Sequence, residues 1–596
     1  MTTALETRSP TTSNPPGPTP HPAPRRWTTS LVVAAYVALG LLVVGRYLPD
    51  VQGRISGHLP TDNVWFQWLL SHGAYSVRHL QNPLFSVQQN YPTGVNMMAN
   101  TSVLGVTIPL APLTMLLGPR TTYVMWMAGA CAATAGTTYR ALSRHLVRSR
   151  AAAFVGGALA GFAPGVIHHA NGQPNFVSNF LVPVIAVKVA HLGRTGRWAR
   201  DGSILGLLVT YQLFINEEVL LITAAACGVA GVAYTWQQPI RARQRATDFL
   251  RALGVTAGVA GVLCAYPIWF QFNGPQAYRG LAVFHSWGED VVTYVTMPRD
   301  TLGGTAASES VVGVIEQNTW FGWPLTGVVL ILLLVLWRRS ATIRVAGVVG
   351  LVFAVAALGP VIRFNGQRTG LPGPWSIIPD TLPVLGLLMP SRLSYAVIAV
   401  FVIVVAVGWD ELAPQDWPRA PGRPDATLLG RMVIAAALVP LVPTPVPTMP
   451  ADRTPQFITS GAWRPYVPAG STLVPVPLPD NGPGLGALQW SADARHEFAV
   501  PRGYFLGPNA SGDGQMGAAT TSVAVGLFAT TARTKAVPIV SPATRAAVHE
   551  EIRQWRGAAV VLGPHPAEAA LRTLLDDLFG PGRRVRDVWV WDVRRL

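Results

Sequence analysis

Long apolar stretches alternate with short, arginine-rich connections along most of this chain. The first stretch covers residues 31–48, and a helix needs roughly 20 mostly apolar residues to cross a bilayer. Further stretches of this kind follow at residues 121–142, 152–169, 175–192, 202–215, 219–236, 250–270, 321–337, 345–362, 391–408 and 428–446. The pattern predicts a mainly α, polytopic membrane protein with about 11 transmembrane helices.

The arginines indicate how these spans are oriented. They occur in every second connection, at Arg8, Arg25, Arg26, Arg140, Arg144, Arg148, Arg150, Arg194, Arg197, Arg200, Arg241, Arg243, Arg245, Arg338, Arg339, Arg344, Arg419 and Arg423. Basic loops are enriched on the cytoplasmic side of membranes. The sequence therefore predicts a multi-pass protein of the plasma membrane with a cytoplasmic N-terminus. Because the number of spans is odd, the C-terminal region is predicted to be extracytoplasmic.

The composition changes near both ends and suggests three regions. Residues 1–28 are rich in Pro, Thr and Ser and contain few aliphatic side chains, which predicts a disordered cytoplasmic tail. Residues 29–446 form the predicted multi-span membrane domain, with a large outer loop at 49–120. From residue 447 short apolar runs alternate with helical patterns, so residues 447–596 are predicted to form an extracytoplasmic α/β domain.

One apolar run does not follow the alternation. Residues 103–117 are interrupted by Pro109 and Pro112, and counting them as a span would move the arginines near residue 145 to the outside. We therefore interpret this run as re-entrant or as lying at the membrane interface.

Composition agrees with a membrane location and excludes one class of partner. The mean hydropathy is +0.33, and charged residues make up only 12% of the chain. The formal net charge of +16 is spread over short loops beside apolar spans. This distribution favours topology signals and contact with anionic lipid, so no nucleic-acid partner is predicted.

Asp62 is the central carboxylate of the first outer loop, in the sequence LPTDNVWFQW. A short oxygen side chain ahead of a helical run is a good N-cap, and a carboxylate beside the bilayer surface can also act as a general base. Both roles are consistent with the sequence.

Other polar residues are predicted to lie at the same outer level and to bind substrate. Glu217 and Glu218 interrupt a long apolar run, where carboxylates are costly and by default mark a functional cavity, an ion pair or a metal; a solvated outer turn is the alternative. Arg392 begins a predicted span, where its guanidinium could bind a phosphate or anchor the helix at the membrane interface. The remaining candidates are His168 and His169 at a helix end, Glu316, and two loop asparagines, Asn96 and Asn100.

The layout resembles the GT-C class of integral membrane glycosyltransferases, which use polyprenyl-phosphate-linked sugars as donors. The strings NPLFSVQQNYPTGVNMMANTS and FINEEVLL are similar to those of actinobacterial membrane proteins that are provisionally called glycosyltransferases. Many members of the class carry paired acids in the first outer loop, whereas Asp62 is followed by Asn63 and Val64. This departure leaves open whether a divalent metal takes part, and no cofactor is predicted with certainty.

The resemblance implies an inverting glycosyltransferase at the outer face of the plasma membrane, with Asp62 as the general base. The expected partners are a lipid-linked sugar donor, a cell-envelope glycan or lipid acceptor, and the membrane itself. Two alternatives stay open: a transporter or flippase of a lipid-linked saccharide, and a noncatalytic envelope scaffold. If these residues form one active site, the side chains of Asp62, Arg392 and either Glu217 or Glu218 are expected to lie close together.

Overall fold

The computed structural model of the protein describes residues 26–281, 286–305, 307, 316–379, 382, 384–412, 426–479, 484–518 and 521–596. Residues 1–25 of the predicted disordered tail lie outside this described part.

Helices dominate the chain before residue 440. They are α1 (Arg26–Val43), α2 (Pro60–His79), α3 (Leu104–Thr107), α4 (Ala111–Leu117), α5 (Pro119–His145), α6 (Arg150–Phe162), α7 (Pro164–His169), α8 (Pro174–Val177), α9 (Val182–His191), α10 (Trp198–Leu213), α11 (Glu217–Gln237), α12 (Pro239–Asn273), α13 (Gly322–Leu336), α14 (Ala341–Ala356), α15 (Tyr395–Glu411) and α16 (Ala426–Leu438). Short 3₁₀ helices cover Val291–Tyr294, Pro374–Ile377, Leu385–Leu387, Pro390–Ser394 and Val439–Leu441.

Several of these helices suit a membrane. Among the described residues, four helical segments are long and apolar enough to cross one: Arg150–His169, Glu217–Gln237, Pro239–Asn273 and Pro390–Glu411. Shorter apolar helices occur at Thr29–Val43, Val182–His191, Gly322–Leu336, Ala341–Ala356 and Leu428–Leu441. The mainly helical, apolar character is as predicted, while the number of spans stays a prediction.

Residues 175–192 do not form one continuous helix, so the predicted span there is wrong in that respect. The segment divides into α8 and α9, and the ten residues of α9 are about 15 Å long, roughly half the hydrocarbon thickness. Pro183 lacks the N–H that a continuous helix would use, and the Asn179 side chain donates to the Phe176 carbonyl in the break. The end of the predicted span at 345–362 differs too, because the strand β4 (Val361–Phe364) begins there.

The apolar run at 103–117 forms two short helices, α3 and α4, rather than a single long one. The break contains Pro109, and Pro112 is the second residue of α4, where its missing N–H costs the helix no hydrogen bond. The amide of Gly105 donates to the Phe214 carbonyl at the end of α10, which ties this run to a neighbouring helix. Its interpretation as re-entrant or interfacial stays a prediction.

Helix α2 is the element that positions Asp62, and it is buried along most of its length. Its buried residues run without interruption from Asn63 to Ala74. Helices α4 and α5 pack against it, and so does a helix of the C-terminal region, α18 (Gly486–Asp493). A helix that is covered on several sides holds the side chains of its first turn in fixed places.

The region beyond residue 447 contains a four-stranded sheet with helices. Its strands are β7 (Thr472–Val476), β10 (Gly557–Leu562), β11 (Arg583–Val585) and β12 (Val588–Asp592), in the order β11-β12-β10-β7. Strands β7 and β10 are parallel, and the other pairs are antiparallel. The helices of this region are α17 (Gln456–Thr459), α18, α19 (Val523–Thr534), α20 (Pro542–Gln554) and α21 (Glu568–Phe579).

Small two-stranded sheets complete the fold, and two of them involve the C-terminal region. The remaining strands are β1 (Arg54–Ser56), β2 (Phe85–Ser86), β3 (Val95–Asn96), β4 (Val361–Phe364), β5 (Gln367–Pro372), β6 (Thr448–Pro450), β8 (Leu506–Pro508) and β9 (Gly514–Met516). Strands β1 and β6 pair, which ties the predicted outer loop to residues beyond 447. The boundary at residue 447 and the side of the membrane on which this region lies stay predictions.

Candidate functional site

Asp62 lies in the first turn of α2, and its carboxylate makes long-range contacts. The helix begins at Pro60, whose fixed φ suits a first helical position, and Leu59 is the N-cap residue. Asp62 therefore does not cap the helix, and that interpretation of the sequence is wrong. Its Oδ1 accepts a hydrogen bond from the Tyr504 hydroxyl at 2.7 Å, and its Oδ2 accepts one from Gln173 Nε2 at 2.7 Å.

The surroundings of Asp62 change its acidity. Burial raises the pKa of the Asp62 carboxyl above its ordinary value, and the hydrogen bonds from Tyr504 and Gln173 offset part of that rise. A higher pKa makes the carboxylate a stronger proton acceptor than an exposed aspartate.

Gln173 links Asp62 to a second carboxylate. Its Nε2 lies 2.7 Å from Asp62 Oδ2 and 3.4 Å from Glu316 Oε1. Its amide oxygen lies 2.5 Å from His169 Nδ1. Because the histidine contacts the oxygen end of the amide, the nitrogen end is directed to the two carboxylates.

Arg392 joins Glu316 to Glu218 at the other side of the network. Its Nε and Nη2 atoms donate to Glu316 at 3.2 and 2.9 Å, and Nη1 donates to Glu218 at 2.6 Å. The guanidinium lies 4.3 Å from the centre of the Phe176 ring. Burial by itself raises the pKa of Glu316, but the Arg392 charge and hydrogen bonds outweigh it and lower that pKa to about 2. Glu316 is therefore ionised at neutral pH.

The structure separates the two adjacent glutamates. Asn216 caps α11 through a hydrogen bond from the Val219 amide, so both glutamates fall in the first helical turn. Successive helical residues point about 100° apart. Glu218 reaches Arg392, whereas Glu217 accepts a hydrogen bond from Gln271 at 2.9 Å on α12.

His169 belongs to the network and is almost completely buried. Its Nε2 lies 2.6 Å from Asn318 Oδ1, and the Asn318 backbone amide donates to Glu289 at 2.7 Å. Burial raises the pKa of Glu289 to about 7, although hydrogen bonds from Asn318 and neighbouring hydroxyls act to lower it. His168 points elsewhere and contacts the Trp320 ring, with 6.5 Å between ring centres.

The two predicted loop asparagines bind backbone instead of joining this network. The Asn96 side chain donates to the Phe270 carbonyl at 2.9 Å. Asn100 bonds the Leu506 backbone twice, as donor at 2.8 Å and as acceptor at 2.6 Å. Both asparagines are buried, and these contacts hold the first outer segment against α12 and β8.

Sequence reasoning missed Gln173 and Tyr504, the two direct partners of Asp62. Gln173 lies in the polar string HHANGQPN beside the predicted histidines, which is a local signal that could have identified it. No local signal marks Tyr504, because it lies 442 residues from Asp62 in the chain.

The sequence leaves open whether a divalent metal takes part, and the arrangement of possible metal ligands bears on this point. No group of three or more His, Cys, Asp or Glu side chains that could hold a metal ion occurs among the residues that the structure describes. The carboxylates of the network instead face amide, hydroxyl and guanidinium donors. Metal dependence thus stays an open part of the sequence prediction.

Comparisons with known proteins bear on the fold. No family model matches the chain, and no curated protein matches it. The chain shares its fold with a solved arabinofuranosyltransferase, so the resemblance to the GT-C class is confirmed at the level of the fold.

The arabinofuranosyltransferase AftD from Mycobacteria matches with a TM-score of 0.56 and 13% identity over 96% of this chain. The chain spans only 40% of the length of AftD. The archaeal oligosaccharyltransferase AglB from Archaeoglobus fulgidus has a TM-score of 0.45 and 11% identity, with 90% of this chain and 69% of AglB covered. ArnT from Cupriavidus metallidurans has a TM-score of 0.45 and 11% identity, with 95% and 98% covered. At these identities the likeness shows the fold alone.

Proposed function

We propose that the protein is an inverting glycosyltransferase that moves a sugar from a polyprenyl phosphate to a cell-envelope acceptor at the outer face of the plasma membrane. The observation that carries the proposal is the Asp62 carboxylate, which is partly buried and connected through Gln173 to Glu316 and Arg392. The fold shared with the transferase AftD supports this reaction class. The residues of the network supply the chemistry that the reaction needs.

Asp62 is the general base in this proposal. The acceptor hydroxyl attacks the anomeric carbon, a new C–O bond forms there, and the bond to the phosphate oxygen breaks. The hydroxyl proton passes to Asp62, and the bonding electron pair leaves with the polyprenyl phosphate. Each carboxylate oxygen has two lone pairs, and Tyr504 and Gln173 each use one, so a lone pair stays open to the acceptor.

Gln173 and His169 are positioning residues in this mechanism. The histidine fixes which end of the Gln173 amide faces Asp62, and the amide in turn orients the carboxylate. An oriented base is worth more than a freely rotating one, because little reorganisation is needed when the proton moves.

The leaving phosphate requires positive charge or hydrogen-bond donors. A guanidinium has five N–H donors, and three of those on Arg392 are bonded to Glu218 and Glu316. Arg392 would therefore hold a phosphate while it stays anchored by the two carboxylates. Of the two histidines predicted from the sequence, His169 has both ring nitrogens on Gln173 and Asn318, and His168 lies against Trp320, so Arg392 is the proposed phosphate ligand.

A reconstituted transfer assay tests the proposed function. The purified protein is placed in vesicles with a polyprenyl-phosphate-linked sugar and a glycan acceptor, and mass spectrometry detects any new glycosidic bond. A separate assay measures movement of the lipid-linked sugar between leaflets. We expect bond formation without net translocation. Translocation without a new bond would support a transporter, and neither activity across a panel of donors and acceptors would support a scaffold.

Replacing Tyr504 with phenylalanine should move the acidic limb of the pH–activity profile to higher pH. The Tyr504 hydroxyl stabilises the charged form of Asp62, so its loss raises the pKa of the Asp62 carboxyl further. The base is then protonated, and activity is lost, at a higher pH than in the wild-type protein. The measurement is initial rate against pH. Tyr91→Phe is the matched control, because the Tyr91 hydroxyl bonds the distant Gly470 carbonyl.

A further inference from the structure

The C-terminal part of α2 and the loop after it form a surface cavity of about 340 Å³. His72, Tyr75 and Ser76 of α2 line one side of it, and Phe85 and Gln88 of the following loop line the other. This size is at the lower end of the range for small-ligand sites. Asp62 occupies the first turn of the same helix, so the cavity is about 15 to 20 Å away along the helix axis.

Two buried polar atoms of residues that line this cavity have no hydrogen-bond partner among the described residues. They are His72 Nδ1 and Ser76 Oγ, and the two side chains are only 3% and 4% exposed. A buried polar atom without a partner is destabilising unless water or a ligand completes it. Both residues line the cavity, so the two unpartnered atoms lie beside the space that a ligand would occupy.

The lining is aromatic and polar but carries no formal charge. Burial lowers the pKa of His72 to about 4, so the ring is neutral at pH 7. The other described lining residues are aromatic, aliphatic, hydroxyl or amide side chains. A phosphate or other anion would find no cation among them, which favours a neutral ligand with many hydroxyl groups.

The two aromatic rings are held in place by their neighbours. Tyr75 contacts the His79 ring with 4.4 Å between centres. Phe85 packs so closely on Gly94 that a Cβ atom at that glycine would lie 2.5 Å from the ring. Fixed ring faces can pack on the C–H faces of a sugar, while neighbouring amides and hydroxyls bind its hydroxyl groups.

We propose that this cavity is a binding site for a neutral saccharide, an acceptor subsite separate from the Asp62 network. The assignment to the acceptor rests on the proposed function. Saccharide binding itself does not, because the lining and the unpartnered atoms define the ligand chemistry independently. A glycan several units long would reach from this cavity toward the first turn of α2.

Saturation-transfer NMR on the full-length protein in detergent tests the proposal. The probes are neutral linear tri- and tetrasaccharides of hexose and pentose units, with inorganic phosphate as the charged comparison. Val87→Trp should fill the cavity and weaken saccharide binding at least tenfold. Val77→Trp is the matched control, because Val77 and Val87 are each 38% exposed but only Val87 lines the cavity.

Ser76→Ala gives a second, milder readout. Loss of its hydroxyl should weaken binding by about 3- to 10-fold, the usual range for one neutral hydrogen bond. This variant decides the question if Val87→Trp fails to fold.

The outcomes separate this proposal from the proposed function. Saccharide binding that Val87→Trp reduces and Val77→Trp does not would support the site, even if no transfer is ever detected. Transfer without measurable saccharide binding would overturn the site and leave the proposed function intact. Equal binding by the two tryptophan variants, no binding of any probe, or stronger binding of phosphate would each overturn it as well.

Discussion

Sugar transfer should fall by about 10²- to 10⁴-fold when Asp62 is replaced with asparagine, while the protein stays folded and inserted in the membrane. Asparagine has the shape of aspartate but cannot accept the proton of the attacking hydroxyl. The substitution should change the fold little. The amide oxygen of the new asparagine can accept a hydrogen bond from Gln173. Its amide nitrogen can donate a hydrogen bond to the Tyr504 hydroxyl, because a hydroxyl can also accept.

Asp513→Asn is the matched control for this experiment. The chemical change is identical, but Asp513 is exposed and forms a surface ion pair with Arg279 at 3.4 Å. Transfer rates are compared for the purified variants with the same donor, and circular dichroism and gel filtration report the fold. Near-wild-type transfer by Asp62→Asn would remove the residue from the catalytic role.

Arg392→Gln should destabilise the protein by about 3 to 5 kcal/mol, the range observed when one partner of a buried ion pair is removed. Glu218 and Glu316 each bond this guanidinium and would be left near one another without it. Two carboxylates deprived of their shared cation must either repel each other in a poorly solvated site or take up a proton.

Arg279→Gln makes the same change in an exposed pair and should cost only about 0 to 1 kcal/mol. The Arg279 side chain is 73% exposed, against 17% for Arg392. Denaturant titration of both variants in one detergent gives the two free energies of unfolding. Equal losses would mean that the Arg392 network does not stabilise the fold. The activity of Arg392→Gln, corrected for the folded fraction, then tests the proposed contact of Arg392 with the leaving phosphate.

Local patterns were sufficient to identify several members of the site. Carboxylates and arginines are rare beside apolar spans because charge is costly there, so Glu218, Glu316 and Arg392 could be expected to bind one another or a ligand. They do form one network of ion pairs and hydrogen bonds. The same argument could not separate Glu217 from Glu218, since the choice depends on which side of α11 faces Arg392.

The role of Asp62 shows where local reasoning stops. Helix capping depends on a few consecutive residues, and the Pro-Thr-Asp sequence satisfied that pattern although the side chain makes no cap. Its actual partners come from the turn after α7 and from the C-terminal region. Such contacts form only when distant segments pack together.

What the sequence by itself determined was the mainly helical, apolar character of the chain before residue 440, the alternation of strands and helices after residue 447, and the set of charged residues beside the apolar segments. These follow from hydrophobic periodicity and from the cost of charge near a membrane, which are properties of short segments. The tertiary structure decided that Asp62 binds Gln173 and Tyr504, that Glu218 rather than Glu217 binds Arg392, and that residues 175–192 are broken in two. The physical reason is that a hydrogen bond or ion pair needs atoms about 3 Å apart in a defined direction, and only the packing of distant segments places them there.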